Sequence, residues 1–237
     1  MGYFTACPLT PAQRGNNKER DFFRIFPLLA GGRGRASARY NIHVSTKPLT
    51  VALLRPDSTR REAVALCEKF AELAESVCVL PTWVPDVLES GLEVATVIGW
   101  PYGAANSQAL GIEAAMATAD GATELIFFPN LSALKSGAEL LVADAVQTVV
   151  DAAAPTDSEV TLWLPWEQLK PLERQSLARL AVECGASALL LPVDDEESAK
   201  ALREFLPDEI GMIIACEASA ASAAYAHRLW KESDGKS

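Results

Sequence analysis

The sequence predicts an α/β fold on a parallel sheet, either closed as an eight-stranded (β/α) barrel or open and doubly wound. Three observations carry that expectation. Short apolar runs recur at 76–80, 93–99, 124–129, 159–165, 188–193 and 210–215, each continuous enough for a strand buried on both faces. Helical stretches separate them at 107–119, 138–153, 171–183 and 195–205, and strands alternating with helices in this way build parallel sheets covered by helices. The 237 residues, 49% hydrophobic and 22% charged, suffice for one large core. No GxGxxG follows the first strand, so the dinucleotide-binding form of the open sheet finds no support.

Taken in order, residues 1–39 read as a basic, flexible leader and 40–237 as the folded domain. The leader lacks a sustained period and contains Gly31-Gly32-Arg33-Gly34-Arg35. Residues 1–48 hold eight Lys/Arg and two acids, a charge of +6, whereas the remainder holds 13 basic and 29 acidic residues, a charge of −16. An acidic body repels phosphate backbones and anionic lipid, so any nucleic-acid contact is expected through the leader alone. That leader reads as an organellar transit peptide, as a partner-binding arm, or as a tail without function; it has no secretory-signal pattern. With no apolar run of 18 residues, no membrane span is expected, and the body is read as cytoplasmic unless the leader directs it to an organelle.

Alternation of Tyr40, Ile42 and Val44 with polar neighbours suits a short strand, and 49–54 forms the next. The turn at 55–59 opens a helix: Thr59 and Glu62 have capping-box spacing, and Ala63, Leu66, Cys67, Phe70 and Leu73 share one face. Pro171 suits a helical first turn. The runs from 49 onward make seven strands, and 218–230 reads as an Ala/Ser-rich helix, so the eighth strand of a barrel is missing from the pattern. The strand at 40–44 fills the gap, a partner chain covers it, or the barrel stays open. An open edge predicts a homo-oligomer or an obligate protein partner.

Chemistry-bearing clusters are sparse. Five cysteines are scattered without a CxxC pair, which fits reduced thiols and neither a zinc site nor a disulfide framework. His43 and His227, the two histidines, are far apart in sequence. The acids Asp194, Asp195, Glu196 and Glu197 stand where a helix begins, where carboxylates favour the helix dipole. No cofactor and no metal are expected.

The segments LLRPDST (53–59), SVCVLPTWVP (76–85), VATVIGWPYGA (94–104), DGATE (120–124) and ALKSG (133–137) carry a family resemblance. In order and spacing the chain resembles the deoxyribose-phosphate aldolases over residues 53–214. The resemblance implies a TIM (β/α)8-type barrel, and the family's eighth-strand motif is absent here, which is the gap already met in the strand count. It also implies class I aldolase chemistry on a phosphosugar: a neutral lysine on the sixth strand forms a Schiff base, a second lysine on the seventh lowers its pKa, and an aspartate on the fourth shuttles protons. Carried over position by position, these roles fall on Leu190, Ile213 and Ile126, none of which can perform them. The family's phosphate turns are also missing, with Ala215-Cys216-Glu217-Ala218 after strand seven. Cys78, Asn130 and Lys135 match family positions near the substrate face and are the candidate pocket residues, while Trp163, Pro165 and Trp166 are expected to fill the mouth. The resulting expectation is an aldolase-like protein without Schiff-base activity that binds or assembles; the alternative is a working aldolase that cleaves 2-deoxyribose 5-phosphate.

Overall fold

The computed structural model describes residues 48–192, 196–215 and 226–233. The leader, the expected strand at 40–44 with His43, and Asp194-Asp195 lie outside them. Eight parallel strands form a closed barrel in sequence order: β1 (Leu49–Leu53), β2 (Ser76–Val79), β3 (Glu93–Ile98), β4 (Glu124–Phe127), β5 (Glu159–Trp163), β6 (Ala188–Leu191), β7 (Gly211–Ala215) and β8 (Arg228–Glu232). Around it run α1 (Arg60–Phe70), the short α2 (Val84–Val87), α3 (Ser107–Ala119), the short α4 (Leu131–Lys135), α5 (Glu139–Ala153), α6 (Pro171–Glu183) and α7 (Glu196–Phe205).

The missing strand is supplied by the chain itself. Arg228–Glu232, expected as the end of a helix to residue 230 and the start of a charged tail, pairs with β7 through Ile214 and Leu229 and with β1 through Leu49 and Leu229. The barrel is therefore complete, and neither a partner chain nor an N-terminal strand is needed to close it. For these residues the helical expectation failed, because RLWKE lacks the continuous apolar run that marks the other strands; 218–225 lie outside the described residues. Its inward face carries Arg228, Trp230 and Glu232. Its outward residues are Leu229, which joins the outer core, and Lys231, whose ammonium lies 5.8 Å from the Phe70 ring of α1.

Two apolar layers follow from the period-2 alternation of strands. Outward residues such as Val51, Val77, Leu125, Leu162, Leu189 and Ile214 meet the helices, and inward residues fill the barrel. On α1 the capping box forms as spaced: the Thr59 N–H donates to Glu62 Oε2 at 2.8 Å and the Glu62 N–H to Thr59 Oγ1 at 3.3 Å. Ala63, Leu66, Cys67 and Phe70 are buried as the periodicity predicts, but Leu73 lies beyond the helix and is exposed. No helix among the described residues is long and apolar enough to cross a membrane.

Candidate functional site

In a barrel of parallel strands, substrate is held at the C-terminal ends of the strands, so the inward residues are taken from the base upward. The base is polar and closed. Arg228 of β8 forms a two-pronged pair with Glu124 of β4, Nη1 to Oε2 at 2.7 Å and Nη2 to Oε1 at 2.9 Å. The Thr161 hydroxyl donates to Glu124 Oε1 at 2.6 Å, and the hydroxyls of Thr50 and Ser76 meet at 2.7 Å. All five side chains are buried. Burial raises the Glu124 carboxyl above its ordinary range, with the Arg228 guanidinium and the Thr161 hydroxyl opposing. A fork-shaped guanidinium matched to a carboxylate satisfies a buried charge that neither residue could carry alone.

The middle of the barrel is dry. Ile126, Leu190 and Ile213 are fully buried and share one inner cluster with Ala52, Cys78, Val97 and Trp230. Leu190 pairs in register with Trp163 on one side and Ile213 on the other. Burial pushes the Cys78 thiol well up, the carboxylates of Glu124 and Glu232 push the same way, and only Arg228 opposes. Cys78 therefore packs as a neutral thiol. The lysines among the described residues are Lys69, Lys135, Lys170 and Lys200, on or beside the surrounding helices, and Lys231 on the outward face of β8. None of them faces the barrel interior.

The mouth is aromatic. Trp100, after β3, meets Phe128, after β4, edge to face at 4.7 Å; Phe128 stacks on Trp163 at 4.9 Å; Trp163 meets Trp230 edge to face at 6.3 Å. The GWPYG motif places the first of these rings. Gly99 and Gly103 have positive φ, and the Gly103 N–H donates to Gly99 O at 2.6 Å. A Cβ on Gly103 would stand 2.0 Å from Phe128 O, so only glycine lets this turn lie on the end of β4. The Gly99 N–H donates to Glu113 Oε2 of α3 at 3.1 Å, and burial raises that carboxyl.

Glu232 ends β8, two residues beyond Trp230 and thus on the same inward face. Burial pushes its carboxyl up to about 7, partly offset by the indole of Trp230. That indole N–H lies near enough to favour the ionised carboxyl, yet completes no hydrogen bond of normal geometry. Sequence reasoning missed both: Arg228 lies in the segment read as a helix to residue 230, and Glu232 lies in the charged end beyond it.

The other expected residues separate. Asn130 is the N-cap of α4, its Oδ1 accepting from the Ala133 N–H at 3.0 Å. Lys135, at the end of α4, donates to Gln168 O at 2.6 Å and faces Glu173 at 3.4 Å, tying α4 to the start of α6. Trp163 enters the mouth as expected, whereas Trp166 turns outward, joins the outer core and lies under the Arg174 guanidinium at 4.2 Å. Glu196 and Glu197 occupy the first turn of α7. His227 Nδ1 lies 2.9 Å from Met212 O. No group of three or more His, Cys, Asp or Glu able to hold a metal occurs among the described residues.

The chain is similar to deoxyribose-phosphate aldolases. It is 37% identical over 148 residues to the deoxyribose-phosphate aldolase of Halalkalibacterium halodurans, covering 56% of this chain and 62% of that protein. It is 34% identical over 145 residues to that of a Geobacillus species, covering 59% and 65%. The chain thus spans just over three-fifths of the length of these relatives. No protein-family model matches it. Among solved structures, the aldolase QR15 superposes with a TM-score of 0.70 at 22% identity, over 80% of this chain and 91% of that one. The tetrameric deoxyribose-phosphate aldolase of Aeropyrum pernix superposes with a TM-score of 0.68 at 20% identity, over 79% and 86%. The structural likeness fixes the (β/α) barrel.

Proposed function

We propose that this chain is a divergent member of the deoxyribose-phosphate aldolase family that performs no Schiff-base chemistry in its barrel and acts by binding or assembly, in the cytoplasm. The observation that carries this reading is the full burial of Ile126, Leu190 and Ile213 in one apolar cluster, at the positions where the resemblance requires an acid and two lysines. An imine needs an amine that reaches the substrate carbonyl, and a nearby acid to move its protons. Burying each of these apolar side chains is worth about 1.5–3 kcal/mol, and none of them can ionise or transfer a proton.

Phosphate recognition is disfavoured too. The resemblance calls for a Gly-Ser turn after strand eight, whose backbone N–H groups would receive phosphate. Here the strand ends in Glu232 and Ser233, and the Ser233 N–H donates to Ala52 O at 2.7 Å. A carboxylate about 4 Å from a phosphate costs on the order of 1–4 kcal/mol per unit charge between water and a protein surface.

The second reading is an active aldolase, favoured by the identity to proteins of that name. Lys135, which the resemblance places near the substrate face, would then be the candidate amine, after leaving Gln168 O and Glu173. Incubation with deoxyribose 5-phosphate and borohydride, followed by intact-mass measurement, separates the two. An unchanged mass is expected; a reduced adduct on any lysine overturns the non-catalytic reading, and its mapped position identifies the amine.

A further inference from the structure

We propose that α3 pairs with α3 of a second copy of this chain across a two-fold axis, with the first turn of α5 at the edge of the contact. The proposal rests on the assembly role given above and names the partner and the face for it.

The exposed positions of α3 are Gln108, Ala109, Ile112, Ala115, Met116 and Ala119, and none of them carries a charge. The one ionisable side chain of the helix, Glu113, is half-buried and accepts the Gly99 N–H. Every other helix of ten or more residues among the described residues shows charge to solvent, such as Arg61 on α1, Asp144 on α5, Arg179 on α6 and Lys200 on α7. Apolar exposure is concentrated in the same place. Of the nine large hydrophobic side chains exposed among the described residues, Ile112 and Met116 lie on α3, Tyr102 on the turn that leads into it, and Leu140 and Leu141 on the first turn of α5. Ser107 bonds to Asp144 and Gly111 lies against Thr148, so α3 and α5 form one platform that needs no ordering before it docks.

Charge selects the occupant. Residues 49–237 carry −16, so two copies repel each other wherever their charged faces meet. About a two-fold axis a residue near the axis meets its own counterpart, and a charge there would meet the same charge. An uncharged helix face avoids that repulsion, whereas a basic partner would be drawn to the acids on the other helices. Shape agrees with charge. Gln108, Ile112 and Met116 recur every fourth residue as a ridge, and Gly111, Ala115 and Ala119 form the shallow row beside it. The ridge of one copy therefore fits the groove of the other, with helix axes about 8–10 Å apart. A stable pair buries about 800 Å² on each copy, more than a single helix about 20 Å long offers, so the contact extends onto Leu140 and Leu141.

The test is sedimentation velocity on the full-length protein with two single variants, Ile112→Lys and Ile112→Glu. The wild type is expected to form dimers at micromolar concentration. Either variant alone sets like charges across the axis and is expected to raise the dimer dissociation constant about tenfold or more. An equimolar mixture sets Lys against Glu and should recover dimers containing one copy of each. Should either variant fail to fold, as read by circular dichroism, the salt dependence of the wild type decides alone. Its dimer should tighten as salt rises, because the repulsion between copies is screened and the apolar contact is not. A dimer that survives both variants, variants that dissociate and do not recover on mixing, or a dimer that weakens with salt would each overturn the proposal and leave the assembly reading intact. A monomeric wild type would end both. None of these results touches the borohydride outcome, which reads covalent adducts on lysine.

Discussion

Arg228 shows how much a single side chain decides here. It is 6% exposed, among the described residues it is the only cation paired with Glu124, and Glu124 is 5% exposed. Removing one partner of a buried pair leaves the other charge uncompensated, at a cost of about 3–5 kcal/mol. Arg228→Met is therefore expected to lower the free energy of unfolding by that amount in urea titrations. Replacing both residues, as Arg228→Met with Glu124→Leu, should recover most of it. Burial already raises the Glu124 carboxyl, and without the guanidinium nothing of like size opposes it. The folded variant then holds a proton that the unfolded chain releases above its ordinary value of 4.5, so its deficit should grow as pH rises from about 5 to 8. A loss below about 1 kcal/mol, flat with pH, would refute this account of the base. The pair was only half legible in the sequence. Glu124 lies in a recognisable motif, but its partner is 104 residues away, in a stretch whose composition suggests helix.

At the scale of elements, legibility followed solvent exposure. β2 to β7 are buried on both faces and read as continuous apolar runs, and α1 announced its start through Thr59 and Glu62. β8 runs from the polar base to the aromatic mouth, so its inward face is Arg, Trp and Glu, and periodicity alone could not separate it from an exposed helix. Ile126, Leu190 and Ile213 were read in the sequence against the pattern that the resemblance implies, whereas the aromatic row was not legible, because Trp100 and Trp230 are 130 residues apart and are linked through Phe128 and Trp163. The role of β8 can be measured directly. It pairs with both β1 and β7, and through Arg228 it neutralises β4. Truncation after residue 227 should abolish the cooperative thermal transition followed by calorimetry and far-ultraviolet circular dichroism. A truncated chain that melts sharply within a few degrees of the full-length protein would mean that β8 is dispensable for closure.

For the whole molecule, closure changes the reason to expect association. A barrel lacking a strand would recruit a partner through backbone groups at its edges. With β8 in place those groups are paired, and the edge argument is withdrawn. What remains is apolar surface on the helices. Ile112 and Met116 project from α3, and Leu140 and Leu141 from the first turn of α5, all exposed. The two helices are neighbours: Ser107 Oγ donates to Asp144 Oδ2 at 2.5 Å, and a Cβ on Gly111 would meet the Thr148 side chain at 2.7 Å. Ile112 and Met116 stand one turn apart on the same face of α3, and exposed apolar residues grouped in this way mark association surfaces more often than isolated ones do. The protein is therefore expected to sediment and scatter light as a dimer or larger at tens of micromolar. Ile112→Glu with Met116→Glu should shift it toward monomer while leaving the melting temperature of the barrel nearly unchanged, since neither side chain contributes to the core. A wild-type protein that is monomeric at that concentration would end the assembly half of the functional proposal.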